Sequence, residues 1–243
     1  MTNNNFKVFK LEEKIDFIIY LRFLIISTHK QMKRYKSYLK NLEYLVKNLD
    51  LHNENVTSIS GDIYDDFSDR LGKLHIDLLN TFADESNSAA SYKKCRKLME
   101  RKKDQLGIDE LSEEIKEILA QLNNNRNWSS HIPESLIHAQ FEAADKYGFE
   151  SGKEDIINKP NPITIFMYSS YEKGWILSLI DEAFRLHKAY SKIFQQMKKD
   201  YSRLVGQSVE IITEYQISDR PFEEDFAVPV ISMQMQTKKY GKV

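Results

Sequence analysis

A chain of 243 residues, 41% hydrophobic and 29% charged, is long enough to bury one sizeable core and too apolar to be disordered. Its formal net charge of -1 excludes a whole-protein attraction to nucleic acid, so a polyanion partner would have to meet a local basic patch. The single cysteine, Cys95, excludes an intramolecular disulfide and with it a disulfide-stapled secreted scaffold.

The N-terminal Met1-Thr-Asn-Asn-Asn5 has neither the basic region nor the small-residue cleavage site of a signal peptide, so the expected location is the cytoplasm. The most apolar stretch, Ile15 to Ile26, is too short to span a bilayer and carries Asp16 and Arg22, which predicts a buried helix and no membrane partner. Eight Gly and five Pro punctuate the whole chain, favouring long helices over many strands. Ile25, Thr28, Met32, Tyr35, Leu39, Leu42, Val46 and Leu49 alternate in steps of three and four, predicting a long N-terminal helix over residues 10–49. After the polar break at Leu51 to Thr57, Ile63, Phe67, Leu71, Leu74 and Leu78 define a second amphipathic helix.

Asp84-Glu-Ser-Asn-Ser reads as a turn rich in capping residues. A basic helical segment follows, with Lys93, Lys94, Arg96, Lys97, Arg101, Lys102 and Lys103, and Gly107 ends it. These cations either track an RNA backbone or form a solvated helix face. Leu111, Ile115, Ile118, Leu119 and Leu122 mark the next helix, which the asparagines at 123 to 125 are expected to break. Pro133 suits the first turn of a further helix, and residues 148–170 read as a long connection. Trp175, Leu179, Ala183, Leu186, Tyr190, Phe194, Met197, Tyr201 and Leu204 hold heptad-like spacing for about eight turns, a core stripe or a partner seam. Beyond 207 the chain is weakly strand-like. The expected fold is therefore all-α, a single-domain up-and-down bundle of long helices with a short C-terminal β-hairpin or arm over 207–243.

Chemistry has few candidates. The six histidines are scattered and no paired cysteines or His-Glu-x-x-His occur, so no metal is expected; no phosphate loop, nucleophile elbow or kinase signature is present, so no cofactor is expected. What remains is acid–base chemistry at Arg126-Asn127-Trp128-Ser129-Ser130-His131. An arginine beside a histidine supplies what cleavage of RNA by its own 2'-hydroxyl needs: a group exchanging protons near neutral pH and a permanent charge for the phosphorane. Spacing alone carries little weight, because Arg70 and His75 repeat it inside a continuous helix, where residues five apart diverge by about 140°. Arg126 differs in sitting at the expected break.

The stretch Leu122-Asn-Asn-Asn-Arg126-Asn127-Trp-Ser-Ser-His131-Ile-Pro133 resembles the Arg-polar-x3-His motif of the HEPN superfamily of α-helical bundles, many of them metal-independent ribonucleases. The resemblance implies a HEPN-like core over about 60–205. It also implies a composite site between two copies, hence a homodimer, and RNA as substrate in a toxin–antitoxin or antiphage setting with a cognate antitoxin or regulatory partner. Arg126 would then stabilise phosphate charge, His131 act as acid or base, and Asn127 orient the arginine or substrate, with Asp62, Asp65 or Asp66 as a supporting acid. Two alternatives stand beside it. One is a non-catalytic HEPN-like RNA-binding or dimerisation module; the other is an adaptor using the Trp175 to Leu204 stripe. The motif itself has a plainer alternative, a helix C-terminus whose arginine pairs with an acid and whose histidine caps a carbonyl.

Overall fold

A computed structural model describes residues 9–86, 89–129, 138 and 168–215. Among these the chain forms α1 (Lys14–Asn48), β1 (Ser58–Ser60), α2 (Gly61–Ala83), α3 (Tyr92–Glu100), α4 (Lys103–Leu106), α5 (Glu113–Ser129), β2 (Ser170–Glu172) and α6 (Lys173–Val205). This is an all-α bundle with one small two-stranded antiparallel sheet.

The long first helix is a single unbroken element. Asp16 opens it by accepting hydrogen bonds from the backbone N–H groups of Glu12 (3.0 Å) and Glu13 (2.8 Å), which hold its carboxyl below the usual range. Its stripe from Phe17 through Leu21, Leu24, Thr28, Met32, Tyr35, Leu39 and Leu42 to Val46 is buried, largely against α6, which runs antiparallel to it. The direction follows from the contacts: His29 meets Phe194, while Tyr35 stacks on His187 and donates its hydroxyl to the Ala183 carbonyl at 3.3 Å. The reading of Ile15 to Ile26 as a buried helix is corrected in part. Phe17, Leu21, Leu24 and Ile25 are buried, but Ile15, Ile19, Phe23 and Ile26 lie on the outward face. Their steps of four and three put them opposite the core stripe, because a helix that packs on one side cannot bury both.

Around that pair the second helix packs on α1 and α5, and α3 closes one end. A single hydrophobic core runs from Phe17 to Leu204, with Tyr35, Phe82, Tyr92 and Tyr190 as its largest aromatic members. Phe82 lies 5.7 Å from Tyr190, which meets Tyr35 edge-on at 5.9 Å. Most of the Trp175 to Leu204 stripe is spent here, with Ala183, Tyr190, Phe194, Met197 and Leu204 buried, so little of it is left as a partner seam. No helix among the described residues is long and apolar enough to cross a membrane.

Two elements depart from the expected layout. The strand β2 (Ser170–Glu172) begins at the last residue of the stretch read as a long connection, pairing with β1 in the register Ser58 to Glu172, Ile59 to Tyr171 and Ser60 to Ser170. Strands of three residues are too short to show an alternating pattern. Next to them Gly61 donates its N–H to the Ser169 carbonyl at 2.8 Å, and a methyl group at Gly61 would overlap the Tyr168 carbonyl. Gly61→Ala is therefore expected to cost about 1–3 kcal/mol in a urea titration by pushing the two strands apart. At the C-terminus, residues 207–215 form no strand and run beside α1, Thr213 lying 3.5 Å from His29 and Tyr215 contacting Lys33. The remainder of the expected hairpin, 216–243, lies outside the described residues, as does Pro133.

Candidate functional site

The fifth helix begins with Glu113 and Glu114 in its first turn, where acids suit the positive end of the helix dipole. Its buried positions are Ile115, Leu119 and Leu122, and the next step of four falls on Arg126. The motif arginine thus occupies the inward stripe, while Asn124, Asn125 and Asn127 face solvent. That geometry corrects the expected break at Asn123 to Asn125: the helix continues to Ser129. Asparagine's helix penalty, roughly 0.5 kcal/mol per residue, is outweighed by keeping the stripe in contact with α2.

On the inward side Arg126 meets the C-terminal end of α2. Its Nη2 donates to Asp84 Oδ2 at 2.9 Å, its Nε to Asn80 Oδ1 at 3.3 Å, and its Nη1 to Asn127 Oδ1 at 3.4 Å. The side chains of Arg126 and Asp84 are 21% and 11% exposed, so the pair is shielded yet reachable at its edge. Asp84 is itself fixed: its Oδ1 accepts from the Ser86 N–H at 2.9 Å and its carbonyl accepts from Ser91 Oγ. Ser91 in turn caps α3 by accepting from the Lys94 N–H at 3.2 Å, and its own N–H donates to Tyr20 at 3.0 Å. The guanidinium is held at a fixed orientation by a hydrogen-bonded turn.

Asp62, Asp65 and Asp66 lie at the opposite end of α2, roughly 30 Å along the helix at 1.5 Å per residue, and do not support Arg126. Asp84 and Asn80 take that place. A signal for Asp84 exists in the sequence, since an acid at a helix C-terminus opposes the dipole and calls for a cation; Asn80 has none. His131 lies outside the described residues, as do Ser130 and the side chains of Trp128 and Ser129.

Four of the seven cations of the basic segment, Lys93, Arg96, Lys97 and Lys103, are paired with acids. Arg96 is 1% exposed, with Nη1 3.1 Å from Asp200, Nε 3.4 Å from Glu100 and Nη2 donating to the Asp109 carbonyl. It is a core brace, and its assignment to RNA contact is withdrawn, because it falls on the buried face of α3 beside Tyr92, Cys95 and Met99. Lys93 and Lys97 lie 2.8 and 3.6 Å from Glu85, whose carboxyl Lys93 holds below its ordinary range. Lys94 donates to the carbonyls of Ser86 and Ala89, Lys102 to that of Glu12, and Lys103 pairs with Glu110 at 2.9 Å. Arg101 is exposed and has no ion pair among the described residues. Since Glu85 follows Asp84, Lys93 and Lys97 join the turn that holds Arg126, so α3 and the end of α5 border one surface.

A second group of titratable side chains packs against the core, with His75 and His187 half-buried. His75 Nδ1 meets the Tyr190 hydroxyl, and His187 stacks on Tyr35. Burial lowers the pKa of both histidines, with Glu182 partly opposing this at His75 and Lys36 adding to it at His187. A depressed histidine stabilises the fold above its unfolded value near 6.5, and that contribution is lost as pH falls below it. The melting temperature should drop by several degrees between neutral pH and pH 5.5 in differential scanning fluorimetry, and His75→Gln with His187→Gln should flatten the profile. Burial also pushes the Cys95 thiol up, which makes it an inert core residue. No group of three His, Cys, Asp or Glu among the described residues is placed to hold a metal ion.

No family model, curated protein or solved structure matches this chain.

Proposed function

We propose that the protein is a metal-independent endoribonuclease of HEPN type that cleaves RNA by attack of the 2'-hydroxyl, with Arg126 and His131 as catalytic residues. The observation that carries this is the fixed guanidinium of Arg126, held between Asp84, Asn80 and Asn127 at the end of α5, five residues before His131. Charge stabilisation of a phosphorane needs such an oriented donor, because a guanidinium that must reorganise during the reaction loses much of its effect. Asp84 and Asn80 act as positioning residues, and Asn127 shares that role. His131 exchanges the proton of the 2'-hydroxyl or of the leaving 5'-oxygen. A homodimer that joins two motifs, with RNA as substrate and a defence or toxin–antitoxin role in the cytoplasm, belongs to the same proposal.

The test is cleavage of a mixed-sequence RNA by the purified full-length protein in excess EDTA. Products ending in a 2',3'-cyclic phosphate and a 5'-hydroxyl are expected, and an oligonucleotide with deoxyribose at the cleaved position should stay intact. Cleavage of the deoxy substrate, or dependence on a divalent ion, would overturn the proposal. The Arg126–Asp84 ion pair also favours a second reading, in which Arg126 only ties α5 to α2 in a non-catalytic RNA-binding or dimerisation module. That reading predicts RNA binding or self-association with no turnover.

A further inference from the structure

Beside the β1–β2 pair the surface is aromatic and acidic at once. Tyr64 of α2, Tyr168 and Tyr171 at the second strand, and Trp175 in the first turn of α6 form one ring cluster. Tyr171 lies 4.4 Å from Tyr64, 5.4 Å from Tyr168 and 6.0 Å from Trp175, measured between centroids. Tyr64 and Tyr171 are half-buried and anchor the cluster, whereas Tyr168 and Trp175 are 63% and 57% exposed. Trp175, the first residue of the stripe read as core, has thus left the core for the surface. Two large exposed rings resting on two anchored ones form a surface built for contact.

Along α2, Asp62, Asp65 and Asp69 share one face through steps of three and four. That face abuts the rings, since Asp65 Oδ1 accepts the Tyr171 hydroxyl at 3.0 Å. Two cations beside this surface are engaged elsewhere: Arg70 lies 2.7 Å from Asp66, and Lys173 donates to the Asn53 carbonyl at 2.8 Å. Asp62 and Asp69 are exposed and, among the described residues, have no ion pair. The helix dipole accounts for an acid in the first turn, yet its influence has faded two turns on at Asp69.

Negative charge beside the rings repels phosphate, so this surface is unsuited to stacking RNA bases and suited to a cation. Among cations, arginine fits both halves of the surface: its planar guanidinium stacks on exposed Trp and Tyr faces while its forked donors meet a carboxylate. We infer that the Tyr168–Trp175 surface and the Asp62–Asp69 face together dock arginine side chains of a basic protein segment. The surface lies at the opposite end of α2 from Asp84, so docking and RNA cleavage are separable, and His131→Ala should bind as wild type does.

Fluorescence anisotropy of a labelled arginine-rich peptide, titrated with full-length protein at low salt, tests this. Saturable binding is expected, several-fold weaker for the lysine-for-arginine peptide and progressively lost as salt is raised. The double variant Asp62→Asn, Asp69→Asn removes no hydrogen bond or ion pair among the described residues, so its melting temperature should fall only by the small loss of a first-turn acid while binding becomes roughly tenfold weaker. Trp175→Ala should weaken binding by about two- to fivefold. Absence of saturable binding, or equal affinity in the double variant, would each overturn the proposal.

Discussion

Arg126→Ala and His131→Ala are each expected to reduce RNA cleavage in EDTA by about 10²-fold or more, the range found when a charge-stabilising donor or a general acid–base group is removed. The two variants differ in what else they disturb. Removing Arg126 leaves Asp84, 11% exposed, without its cation and should also lower the melting temperature by a few degrees. A drop in melting temperature with full activity would reduce Arg126 to the structural tie of the second reading. Arg126→Lys keeps the charge but cannot reach Asp84, Asn80 and Asn127 together, so most of the loss should persist. Asp84→Asn separates positioning from charge: under the proposed mechanism it should lower kcat with KM nearly unchanged, because Asp84 would act through the arginine it holds. Size-exclusion chromatography of all four proteins checks whether the proposed dimer survives.

The second large effect concerns stability. Asp200→Ala should cost about 3–5 kcal/mol in a urea titration, because Arg96 would keep a full charge in the core without its main partner. Asp200 is 3% exposed and accepts from Tyr92 at 2.7 Å and from Gln196 at 2.9 Å as well as facing Arg96. Burial pushes its carboxyl up while Arg96, Tyr92 and Gln196 pull it back, so the pair gains little over a well-packed apolar one. The double variant Arg96→Met, Asp200→Leu should accordingly recover most of the loss. A double variant as unstable as Asp200→Ala would show that the network holds α3 to α6 by more than charge balance.

Some of the site was legible in the residues before any packing was known. Glycine-poor composition and the three-and-four spacing gave the helical class and the buried stripes of α1, α2 and α6, since a helix must bury one face whatever it packs against. Gly107 ends α4 in the left-handed region, as a glycine there should. The same spacing, extended by one step, places Arg126 after Ile115, Leu119 and Leu122, although the asparagines around it point the other way. Local propensity and burial disagreed there, and burial prevailed.

Tertiary structure alone decided the partners. Periodicity tells which face turns inward but not what it meets, so Arg96 and Arg126, each in a polar-looking stretch, could not be matched to Asp200 and Asp84, 104 and 42 residues away in the chain by their numbering. Strands of three residues leave no pattern, and only their pairing brings Tyr168, Tyr171 and Trp175 beside the acids of α2. Composition and spacing determined that this chain is a helical bundle and which of its segments carries an arginine ahead of a histidine. Packing determined that the arginine is held by a carboxylate and an amide of another helix, because charge in a shielded place is set by neighbours in space and not by neighbours in sequence.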